Sequence, residues 1–130
     1  MWSSLDPDKA RKLLAGIRFV NGAAALVAPG FLARRLGVDP EVDRGVTYVL
    51  QLFGVRTILI AVELVAQDPE LRARAVDAAV AVHVSDTMAA IFAGLSGRLP
   101  RRGALMATAI SSVNVVLAVL ARGGRADPGQ

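Results

Sequence analysis

The chain has 130 residues, of which 54% are apolar and 20% charged, with a formal net charge of +4. That length holds one domain, and that apolar share excludes a disordered chain. There is no cysteine and a single histidine, His83, which excludes disulfides, thiolate metal sites, cysteine nucleophiles and multi-histidine metal centres.

The mean hydropathy of +0.49 is high for a soluble domain, yet the charged fraction is near the soluble average. The positions of the charges therefore decide the class. The basic residues are 13 arginines and two lysines, a bias that, with abundant Ala, Val and Gly, points to a bacterial source. A pI near 10.6 would suit nucleic acid. The arginines, however, fall in short clusters between apolar runs, so anionic lipid headgroups fit better and nucleic acid is not expected.

A polar lead-in precedes Asp6-Pro7-Asp8, which reads as a helix start. The first apolar run covers residues 13–33, interrupted by Arg18 and Asn21 and ended or kinked by Pro29-Gly30. Its interruptions, and the lack of a small-x-small cleavage site, favour a retained span over a cleaved signal peptide. A polar loop through Gly37, Asp39-Pro40 and Asp43 leads to the second run, 46–66. Asp68-Pro69-Glu70 then opens a helix, with Asp68 as N-cap and Pro69 in its first position. The third run covers 75–95, closed by Gly97 to Pro100, and the fourth covers 103–121. A tail over 122–130 reads as disordered. Each run holds about 20 residues, which at about 1.5 Å per residue matches the hydrocarbon thickness of a bilayer. The fourth run has no ionisable residue. The pattern predicts an all-α, integral membrane, antiparallel four-helix bundle with the lipid bilayer as its first partner. A soluble four-helix bundle, the alternative, would need a charged face on every helix.

Within the runs stand Arg18, Arg56, Glu63, Asp77 and Asp86. Asp77 is near a span end, within reach of Arg74 or headgroup water. The other four lie deeper, where a charge costs about 2.5–3.5 kcal/mol and normally faces a partner inside the bundle. Short loops make neighbouring spans antiparallel. Arg18 and Glu63 then fall at one depth, in the half carrying the N-terminus, and Arg56 and Asp86 at another, near the middle. Two level pairs follow, Arg18–Glu63 and Arg56–Asp86, provided the helix rotations agree. Helical spacing groups small and polar residues on one face of three spans. These are Arg18, Gly22 and Ala25; then Ala79, His83, Asp86, Ala90 and Gly94; then Ala104, Ala107, Ser111, Asn114 and Ala118.

Two readings stay open for these residues. In one, the pairs fix helix register and nothing more. In the other, Arg18, Arg56, Glu63, His83, Asp86 and Asn114 surround a polar pocket in the half carrying the N-terminus. That pocket would take a lipid- or quinone-like molecule. No nucleophile–base pair stands out, so no enzyme activity and no cofactor is expected. The orientation rests on seven basic residues on the N-terminal side against six on the other. The dense cluster from Lys9 to Lys12 favours cytoplasmic termini in a bacterial inner membrane.

Several segments have a familiar look. The stretch APGFLARRLGVDP ends the first span, LQLFGVRTILIA carries Gly54 and Arg56, and HVSDTMAA carries Asp86. Together they resemble small four-span bacterial membrane proteins of the DoxX-like kind, over about residues 10–121. Thr57 stands where that family usually has an acidic residue. The resemblance implies a multi-pass membrane protein, acting as a subunit beside a membrane-protein partner, in some relatives a quinone-linked redox enzyme. A small proton-coupled transporter is the alternative. Four short spans enclose too little for a pathway, so it would need a homodimer.

Overall fold

The computed structural model describes residues 6–123, which form five helices: α1 Pro7–Val27, α2 Pro29–Arg35, α3 Gly45–Leu64, α4 Pro69–Leu95 and α5 Arg101–Arg122. The expected disordered tail over 122–130 is corrected at its start, since Arg122 ends α5 and Gly123 caps it, while residues before Asp6 and from 124 onward lie outside the described residues. The fold is all-α. Three helices, α3, α4 and α5, are long and apolar enough to cross a membrane, and α1 with α2 makes a fourth candidate if the bent pair counts as one span.

Helix starts follow local chemistry. Asp6 accepts a hydrogen bond from the Lys9 amide at 2.8 Å with Pro7 in the first turn of α1. Asp68 accepts from the Glu70 amide at 3.0 Å with Pro69 behind it. In both, a carboxylate satisfies an amide that the helix cannot, and proline occupies a position where its missing N–H costs nothing.

The first apolar run, expected over 13–33, is two helices whose axes differ by 109°. Ala28 precedes a proline, and the proline ring disfavours helical backbone there. Ala28 accordingly leaves the helical region, at φ −132° and ψ 58°, and α2 begins at Pro29. The chain leaves α2 through Gly37 at φ +82°, a left-handed conformation that glycine adopts without steric cost.

Helix α1 packs along α3, α4 along α5, and α1 also meets α5. The α1–α3 crossing is made by glycines. A Cβ on Gly22 would lie 2.9 Å from the Gly54 carbonyl oxygen. Close backbone approach of this kind suits helices that gain little from burying apolar side chains against each other. At the other end of α2, a Cβ on Gly103 would lie 2.0 Å from the Leu36 oxygen, so the start of α5 presses directly on the end of α2.

Six of the ten buried core residues are alanine. Ala10, Leu14, Ala15, Leu64, Ala75, Val76, Ala79, Leu117, Ala118 and Ala121 cluster where α1, α3, α4 and α5 meet. Large apolar side chains point outward instead. Phe19, Leu52, Leu59, Met88, Phe92 and Leu105 are all more than half exposed. The C-terminal carbonyls of α3 are held by arginines from two other helices. Arg11 donates to the Leu64 carbonyl, and Arg72 to the Ala66 carbonyl at 3.0 Å. Cations at a helix C-terminus also complement its dipole.

Candidate functional site

Arg18 is the largest fully buried side chain among the described residues, 1% exposed. It reaches the interior because α1 turns its small face, with Gly22 and Ala25, toward the bundle. Its Nη1 donates to a ring nitrogen of His83 on α4. Arginine carries only donors, so that ring nitrogen must accept and bears no proton. Glu63, expected to pair with Arg18, sits on the exposed side of α3. The two share a depth, but the rotation of α3 buries Gly54, Thr57 and Ala61 and turns Glu63 outward.

The second expected pair forms. Arg56 Nη2 lies 3.6 Å from Asp86 Oδ1, with Asp86 the more buried partner. The Arg56 guanidinium also lies 5.7 Å from the Phe53 ring centroid, within cation–π range. Asp77 pairs with Arg122 of α5, at 3.4 Å. Arg74 bonds Glu70 one turn earlier, at 2.8 Å.

Four of the six expected residues, Arg18, His83, Asp86 and Asn114, line one cavity of about 260 Å³. Arg56 flanks it through Asp86 and Phe53, and Glu63 lies away from it. The sequence pattern placed this pocket in the half carrying the N-terminus. It runs instead from the middle of the bundle toward the opposite end. There Leu32 and Leu36 of the bent α2, Leu50 and Phe53 of early α3, Ala89 of late α4 and Ala107 of early α5 complete its wall. The reason is the turn at Ala28, which lays α2 across that end. Asn21 and Asn114 also line an adjoining apolar concavity of about 240 Å³ between α1 and α5, with Ile17, Ile110 and Val113.

The polar side chains of the cavity are under-used. Arg18 Nε and Nη2, Thr57 Oγ1 and Asn114 Oδ1 are buried without a hydrogen-bond partner among the described residues. Buried polar atoms are normally satisfied, and each exception calls for an explanation. Thr57 was not among the expected site residues. The available signal was its place one helical turn after Gly54, on the face that meets α1. A third concavity, of about 280 Å³, lies at the other end beside Asp8, Arg11 and Arg72. Its charged groups already bond one another or the helix ends, Arg11 to Asp8 and the Leu64 carbonyl and Arg72 to the Ala66 carbonyl.

Comparison with known proteins finds no matching family model, no similar curated protein and no similar solved structure.

Proposed function

We propose that the chain is a multi-pass integral membrane protein of the DoxX-like kind. In this reading it is a non-catalytic subunit or binder that holds a lipid- or quinone-like amphiphile in the cavity around Arg18. The observation that carries it is a half-apolar cavity in which a buried guanidinium keeps two nitrogens, Nε and Nη2, without a partner among the described residues. The outward large apolar side chains support the membrane placement. A soluble monomer rarely exposes so many large apolar side chains, whereas lipid tails solvate them without cost. Gly54 and Arg56, which carry the resemblance, both have structural work here. One allows α1 to approach α3, and the other pairs with Asp86. The cluster from Lys9 to Lys12 supports cytoplasmic termini in a bacterial inner membrane.

Two measurements test the reading. Alkaline carbonate extraction of expressing cells should leave the chain in the membrane pellet, and release into the soluble fraction would overturn the membrane placement. Mass spectrometry of the purified protein should find an amphiphile retained by the wild type. Ala107→Leu, which fills the cavity wall, should lose it. Equal retention by both would remove the cavity from the reading.

A further inference from the structure

The two nitrogens left free on Arg18 are not an arbitrary pair. Nη1 is engaged by His83, which leaves Nε–H and Nη2–H. These two bonds project side by side from one edge of the guanidinium plane. That edge is the fork which binds a carboxylate, or equally a phosphate, through two parallel hydrogen bonds, and the singly charged carboxylate is the one that matches a net single positive charge. A lone carbonyl oxygen, such as a quinone presents, can fill only part of it.

Charge points the same way. The groups facing the cavity or flanking it are Arg18 and Arg56, both positive, Asp86, negative, and His83, whose accepting nitrogen bears no proton. Asp86 is committed to Arg56 at 3.6 Å. Glu63, the carboxylate at the depth of Arg18, is turned out of the bundle. Two positive charges and one negative leave the site a net single positive charge, with Arg18 1% exposed and Asp86 also acting on it through space. A buried charge without a partner is strongly unfavourable, so an anion bound at the fork stabilises both partners. Thr57 offers a third donor, since its buried hydroxyl has no partner.

Leu32, Leu36, Leu50, Phe53 and Ile110 make a broad apolar part of the wall, with Asn21, Ser111 and Asn114 as its other polar residues. The cavity, at about 260 Å³, has room for roughly nine water-sized groups. That suits a single short alkyl chain rather than a two-tailed lipid. The adjoining concavity past Asn21 and Asn114 extends the apolar path between α1 and α5.

Resting on the cavity reading above, we propose that the ligand is a single-chain carboxylic acid. Its carboxylate sits on the Nε/Nη2 edge of Arg18 beside Thr57, and its alkyl chain lies along the apolar wall.

The test is native mass spectrometry of the full chain in a maltoside detergent, titrated with decanoate, decanol and decyl phosphate. Decanoate should bind with one molecule per chain, at least about tenfold tighter than decanol, because charge-assisted hydrogen bonds are about twice as strong as neutral ones. Decyl phosphate should bind no tighter than decanoate, and a clear preference for it would replace the carboxylate with a phosphate headgroup and overturn the proposal. Arg18→Gln should abolish the preference for decanoate over decanol. Should that variant fail to fold, Thr57→Val provides the check, since it keeps the side-chain shape. It should weaken decanoate several-fold and leave decanol unchanged. Equal binding of decanoate and decanol, both blocked by Ala107→Leu, would overturn the carboxylate and leave the cavity reading standing. Failure of all three probes to bind would overturn both.

Discussion

Gly22 and Gly54 hold α1 and α3 at backbone contact: a Cβ built on Gly54 would stand 2.7 Å from the Gly22 carbonyl oxygen. This crossing sets the height and rotation at which α1 presents Arg18 to the site. Gly54→Ala should therefore push the helices apart and lower stability by about 1–3 kcal/mol, as overpacking of a close contact does. Gly16, with nothing within 4 Å of its Cβ position, is the control. Gly16→Ala should be neutral or stabilise by up to about 1 kcal/mol. Thermal unfolding in detergent compares the two, and equal shifts would remove the crossing as the cause.

The Arg56–Asp86 pair is half-exposed on its arginine side, so its contribution is modest. If the chain sits in a membrane as proposed, a double-mutant cycle of Arg56→Gln and Asp86→Asn should give a coupling of about 0.5–1.5 kcal/mol, near the range of polar contacts between membrane helices. Strictly additive losses would mean the two side chains do not support each other.

His83 is the partner that holds Arg18 in place. His83→Leu removes the acceptor and should cost about 1.5–3 kcal/mol, the range for hydrogen bonds to charged groups. His83→Gln keeps an acceptor and should recover much of that loss. Unfolding midpoints of the two variants decide the matter. If Gln and Leu behave alike, the histidine contributes packing alone.

Asp8 lies in the first turn of α1, before the apolar run. The Lys12 ammonium, at 3.0 Å, and the Arg11 guanidinium beside it hold its carboxyl below the ordinary 3.8. A depressed carboxyl contributes stability above its unfolded pKa and loses it as pH falls through the folded one. The start of α1 should thus keep its protection at neutral pH and fray below about pH 3.8. Hydrogen exchange of the first turn checks this. Asp8→Asn should weaken that turn at neutral pH and flatten its acid response.

Much of the architecture is legible in the chain. Asp6-Pro7 and Asp68-Pro69 mark helix starts because capping is settled within four residues. Arg18, Gly22 and Ala25 on α1, His83 and Ala90 on α4, and Asn114 and Ala118 on α5 are buried as their spacing predicts. A helix has a fixed period, so residues that share a face need no tertiary information. Charge and hydropathy patterning likewise separate the apolar stretches from their loops.

The partners of those faces were decided elsewhere. Depth along a span follows from residue count, and it paired Arg56 with Asp86. It paired Arg18 with Glu63 just as readily, and that pair does not form, because rotation about the helix axis is set by packing. Gly54 and Thr57 must face α1, and Glu63 is then carried to the outside. Pro29 announces a break, but the 109° turn depends on where α2 can rest, which is against α3 and the start of α5 at Gly103. By itself the sequence determined four apolar stretches, their ends, and an arginine that had to be buried. Tertiary structure decided that this arginine would face a histidine and a cavity instead of a carboxylate, because only packing sets which helix faces meet.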